Sequence, residues 1–230
     1  MDGLSGEAYD KIEALIVFEE LAPGSLVSEK KLMELTGLGR TPVREAIQSL
    51  ARHRMLTVFP SKGILIPPIM VEDEFALLEV RRALEVTAVR LACVRQRPEH
   101  VAALERLLKR LDGEIPTLRE YAGVVGEIHH LIAAASDNAY LADSIAPLQS
   151  LSRRFWRHHV QDVAREIEHG SALLRQIVEG VLARDADRAT AASLALNDYL
   201  IDFTRAVASP PAPEGDDVLA GPGRTEHLHR

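Results

Sequence analysis

The sequence predicts a mainly helical protein in two parts: an N-terminal winged helix-turn-helix with a small β-hairpin wing, followed by an antiparallel all-α bundle. Three observations carry that prediction. Ala, Leu, Glu and Arg dominate while aromatic residues are only 4% of the 230, a composition that favours helices over sheets. Apolar residues recur at helical spacing over most of the chain. The exception is Met55 to Ile66, where two β-prone segments flank Pro60-Ser61-Lys62-Gly63. Charge is also segregated: the net charge is −7, yet residues 29–62 carry seven bases against three acids, a local +4 inside an acidic whole.

Taken in order, Ala8, Ile12, Leu15, Ile16, Phe18 and Leu21 predict an amphipathic helix over 8–21, closed by Ala22-Pro23-Gly24. Ser28 offers an N-cap and Glu29 a favourable first-turn charge for a second short helix, which Gly37 ends. A third helix follows, with Gly39 and Thr41 both open as its cap and Pro42 tolerable in its first turn. Val43, Ile47 and Leu50 anchor one side of it. Arg40 and Arg44, four residues apart, share the other. Guanidinium groups at a helix N-terminus suit a recognition helix, because they pair bidentately with guanine or clamp a phosphate. The competing reading is a merely solvated helix face. At the hairpin tip, Lys62-Gly63 is placed to reach a phosphate or the minor groove.

Pro67-Pro68 marks a linker, after which helical patterns run over 71–94, 101–111, 118–136, 141–159, 164–183 and 186–207. Short connections between about six helices read as an antiparallel bundle. The expected division is residues 1–66 for the DNA-binding domain and 67–72 for the linker. Residues 73–208 form the effector-binding and dimerisation domain, and 209–230, rich in Pro and acid, a disordered tail. Cys93 lies alone in an apolar run, which fits an inert buried thiol in a reducing compartment. The start lacks the pattern of a signal peptide and no apolar run reaches spanning length, so a cytoplasmic protein with no membrane partner is expected.

Residues 8–66 resemble the DNA-binding domain of the GntR family of bacterial transcription regulators. The likeness rests on Leu21-Ala22-Pro23-Gly24 through Leu32, on Thr36-Gly37-Leu38-Gly39-Arg40-Thr41-Pro42-Val43-Arg44-Glu45-Ala46-Ile47, and on Lys62-Gly63. The resemblance implies that Lys30, Arg40, Thr41 and Arg44 contact DNA, with Lys62 and Gly63 in the wing; Gly39 stands where the family usually has Ser or Thr. Residues 71–207 resemble the FCD effector domain of the FadR-like subfamily, through Leu78 to Glu85, Ile128 to Asn138, and Ile177 to Asp185. Many such domains hold a divalent metal with one Asp and three His. Here those positions carry Val125, His129, Leu174 and Leu196, so the expectation is a lost metal site and no cofactor. His130, His158, His159 and His169 are the remaining candidates for a rebuilt one.

What remains is a polar-ligand pocket built from Arg81, His129, Asn138 and Arg154, made drier by the two leucines. For Arg81 the bland alternative is pairing with Glu85 one turn along. The expected function is a transcriptional repressor, homodimeric on a palindromic double-stranded operator and controlled by a carboxylate-bearing small molecule. An enzyme is not expected, since no glycine-rich phosphate loop or Ser/His/Asp order is present. The competitors are a metal- or His-dependent bundle enzyme and an effector-free DNA-binding module.

Overall fold

The computed structural model describes residues 3–113 and 117–209. Its N-terminal elements are α1 (Leu4–Val17), β1 (Leu26–Val27), α2 (Glu29–Thr36), α3 (Arg40–Arg52), β2 (Thr57–Phe59) and β3 (Gly63–Leu65). The Ser28 side chain caps α2 by accepting from the Lys31 N–H, and Gly37 ends that helix in the left-handed conformation. Gly39 is the N-cap of α3 and supplies no side-chain bond, which decides between the two candidate caps. The expected hairpin is present as β2 and β3, but it belongs to a three-stranded antiparallel sheet of order β1-β3-β2, in which Val27 pairs with Ile64. Ile12, Ile16, Leu32, Val43, Leu50, Met55 and Ile66 close the core beneath it.

The bundle consists of α4 (Val71–Arg95), α5 (Pro98–Asp112), α6 (Leu118–Ala135), α7 (Ala139–His159), α8 (Val163–Leu182) and α9 (Ala186–Ala208). Helices α4, α8 and α9 pack along one another, and α6 and α7 close the opposite side. Capping explains the sharp helix starts: Thr117, Asn138, Asp162 and Asp185 each accept from the N–H three residues on. Pro147 lies within α7 without ending it. The bundle has its own core, including Leu78, Leu104, Ile128, Ile145, Val178 and Val181. The two parts meet where α1 packs against α7, and Leu151 of α7 reaches into the N-terminal core. The tail expected from Ser209 onward lies, but for Ser209 itself, outside the described residues.

Candidate nucleic-acid interface and bundle cavity

Arg40 and Arg44 project from the first turns of α3, with side chains 69% and 58% exposed. Neither is enclosed by protein. Behind them Val43, Ala46, Ile47 and Leu50 are buried, so the helix is fixed from its inner side while its arginine face stays open. Both guanidinium groups rest on one carboxylate: Arg44 Nε donates to Glu29 Oε2 at 2.8 Å, and Arg40 Nε stands 3.4 Å from Glu29 Oε1. Sequence reading assigned Glu29 only to the first turn of its own helix. Its reach across to α3 depends on the angle between the two helices, which spacing does not report.

Lys30 and Thr41 are exposed near the same helix starts, and Lys62 is exposed at the hairpin tip. Gly63 has φ of 115°, and a Cβ there would lie 3.1 Å from the Val27 carbonyl oxygen. Glycine is therefore required by the sheet itself. Gly39 gives the Arg40 and Thr41 N–H groups no capping side chain, and the start of α3 adds a partial positive charge beside the two arginines.

Within the bundle a cavity of about 50 Å³ is lined by side chains that include Arg81, Tyr121, His129, Arg153, Trp156 and Tyr199. Val125, Leu174 and Leu196 line it as well, so all four positions equivalent to the family's metal ligands surround one space. The donor set does not fit a metal: three of these four side chains are hydrocarbon. Among the described residues no group of three or more His, Cys, Asp or Glu is arranged to hold an ion.

His129 is 7% exposed, and neither of its ring nitrogens has a hydrogen-bond partner among the described residues. It stands between this cavity and a smaller one of about 20 Å³ on the side of Glu85, Gln149 and Ser193. Burial pushes its pKa down to about 3, against the pull of Glu85 and with the help of Arg81 and Arg153. The ring is therefore neutral, with one donor and one acceptor to offer.

Arg81, 2% exposed, pairs with Glu85 through Nε at 3.1 Å and Nη2 at 2.7 Å, and Gln149 Nε2 also donates to Glu85 at 3.0 Å. Burial works to raise the Glu85 carboxyl, but the Arg81 charge and these bonds hold it below the usual range. The bland pairing considered for Arg81 is thus realised, and it places Arg81 in the cavity wall at the same time.

The other two expected pocket residues are elsewhere. Asn138 is occupied as the N-cap of α7, and Arg154 donates from Nη2 to the Pro67 carbonyl at 2.7 Å, facing the linker. Arg153 takes the place expected of Arg154. Successive residues on a helix point about 100° apart, and the i, i+4, i+7 series Gln149, Arg153 and Trp156 lines the two cavities. Of the other histidines, His158 bonds Glu19 at 2.8 Å and His159 bonds the Phe155 carbonyl at 3.0 Å. His169 lies against the Tyr199 ring. None of these three, nor His130, lines the cavity.

Residues 76–198, more than half of the chain, match the FCD domain, and residues 4–66 match the bacterial regulatory proteins of the gntR family. The Nta operon transcriptional regulator of Aminobacter aminovorans is 33% identical over 134 residues, 57% of this chain and 62% of that protein. The transcriptional repressor RspR of Escherichia coli is 26% identical over 87% of both chains. The solved structure of E. coli McbR/YncC superposes with a TM-score of 0.75 over 91% of this chain and all of that one, at 20% identity, which shows a shared fold. These relatives are regulators rather than enzymes. With a winged helix-turn-helix followed by an FCD bundle, the chain belongs to the gntR family of bacterial regulatory proteins.

Proposed function

We propose that the chain is a cytoplasmic homodimeric repressor of the FadR-like kind, bound to a palindromic operator and controlled by a short carboxylate in the bundle cavity. In this reading Lys30, Arg40, Thr41 and Arg44 meet the duplex, with Lys62 and Gly63 in the wing. The open arginine face of α3 supports it. One short helix offers few base contacts, so two copies reading symmetric half-sites supply the specificity. The repressor role follows the printed function of the relative RspR. No metal takes part.

The effector reading is carried by His129, whose two unpartnered nitrogens sit in a buried cavity beside guanidinium groups. Buried polar atoms without partners are costly, and a carboxylate that accepts from the His129 N–H removes part of that cost. Arg81, paired with Glu85, and Arg153 present guanidinium groups in the wall, and these suit a carboxylate. The cavity of about 50 Å³, made drier by Leu174 and Leu196, suits a short-chain carboxylate. Calorimetric titration with acetate, propionate and butyrate is expected to show binding that is lost in His129→Leu. Equal affinity in that variant overturns the effector reading.

A further inference from the structure

Between the arginine helix and the wing runs a groove of about 450 Å³. Arg44, Ile47 and Gln48 of α3 form one side of it, and Val58, Phe59 and Pro60 form the other. The second side is apolar and open. Val58 is 47% and Phe59 42% exposed, both stand on β2 at the edge of the sheet, and neither belongs to the core beneath it.

Gln48 is exposed near the middle of the outward face of α3. At about 100° per residue, Thr41, Arg44 and Gln48 fall within a sector of about 60°, opposite the buried Val43, Ala46 and Leu50. The charged neighbours on that face are already engaged. Glu29 holds Arg40 and Arg44, Glu45 accepts from Ser5 of α1, and Arg52 Nη2 donates to Ser49 Oγ at 2.7 Å. Glu45 is thus held on the α1 side, whereas Gln48 lines the wing side, and its amide has no hydrogen-bond partner among the described residues.

We propose that Gln48 is a base-reading residue, which pairs its side-chain amide with an adenine of a duplex strand seated in this groove. The inference rests on the docking of α3 proposed above and adds to it the identity of one base. The amide carries a donor beside an acceptor. In the major groove adenine presents the matching pair, an N6–H donor beside the N7 acceptor, while guanine offers two acceptors and cytosine a donor alone. The apolar wall of Val58 and Phe59 makes the match count, because it keeps water from the amide and a base that leaves the amide unpaired then carries the desolvation cost. Charge argues for a nucleic-acid strand as the occupant. Arg44 lines the groove, Lys62 is exposed at the hairpin tip, and Glu29, a carboxylate in the wall, is outnumbered by the two arginines it holds. Arg44 and Gln48 lie one helical turn apart, about 6 Å along the axis, which corresponds to about two base-pair steps. A guanine read by Arg44 and an adenine read by Gln48 are therefore expected about two base pairs apart in each half-site.

The test uses the full chain and duplexes selected from a random-sequence pool by the natural sequence, Gln48→Ala, Gln48→Arg and Arg44→Ala. The natural chain is expected to select that guanine and adenine together. On its selected duplex Gln48→Ala should bind roughly tenfold more weakly, the loss of a bidentate base contact. Its preference should relax at the adenine alone and its salt slope stay unchanged, because no phosphate contact is removed. Gln48→Arg should select guanine in place of the adenine. An adenine analogue with carbon in place of N7 should weaken the natural chain severalfold and leave Gln48→Ala unaffected. A Gln48→Ala chain that keeps full affinity and selects the same bases overturns the proposal, and so does one that weakens all sequences alike. If Arg44→Ala loses its guanine while Gln48→Ala loses nothing, the docking stands and the base-reading role of Gln48 falls. If the natural chain enriches no duplex, the docking itself falls and Gln48 with it.

Discussion

His129 joins two properties seldom found together: it is deeply buried, and neither ring nitrogen has a partner among the described residues. Such a ring has a consequence for stability that needs no ligand to observe. Its folded pKa of about 3 lies below the unfolded value of 6.5, so the unfolded chain binds a proton that the native chain refuses. The stability this confers is full above pH 6.5 and is lost as pH falls toward 3. By pH 5 the loss amounts to roughly 2 kcal/mol. Thermal unfolding of His129→Leu should therefore fall less steeply between pH 7 and 5 than that of the natural chain; parallel curves would count against a neutral buried ring. At this scale the sequence named Arg81 and His129, which line the cavity, and Arg154, which faces the linker while its neighbour Arg153 lines the cavity. Two adjacent arginines look alike until the helix is rotated into place against its neighbours. Glu29 was missed for a related reason, because its partners lie on a different helix.

Among the elements, the contact between α8 and α9 depends on Gly180. A Cβ there would stand 2.7 Å from the Ala189 nitrogen and 2.8 Å from its Cα, and backbone atoms cannot step aside as a flexible side chain can. Gly180→Ala is expected to lower unfolding stability by about 1–3 kcal/mol in chemical denaturation, the usual cost of overpacking. An unchanged midpoint would show that the helices separate freely. The helices themselves were legible: α4, α6, α7, α8 and α9 begin or end within two residues of the apolar pattern, because each carries a long periodic stripe and most carry a capping side chain. Helix α1 starts at Leu4, four residues before its pattern, where Gly3 at positive φ sets the turn. Strand β1 is two residues long, too short for alternation to register, and it exists only because β3 lies beside it.

Over the whole molecule, the chain places a basic reading surface on an acidic carrier, with a net charge of −7. Long-range attraction to DNA is thereby weakened, and affinity depends on short-range contacts made by few side chains. In the proposed docking Arg40 and Arg44 exchange Glu29 for the duplex, an exposed pairing that costs little to break. The bundle meets the DNA-binding domain where α7 packs against α1 and Leu151 lies against the N-terminal core. The most direct measurement is binding of the full chain to a duplex selected from a random-sequence pool, for the natural sequence, Arg44→Ala and Lys62→Ala over a range of salt. Arg44→Ala is predicted to lose about 1–3 kcal/mol and its preference at the bases it reads, while Lys62→Ala weakens all sequences alike and flattens the salt slope by about one. An Arg44→Ala chain that keeps both full affinity and the same selected sequence would contradict the account.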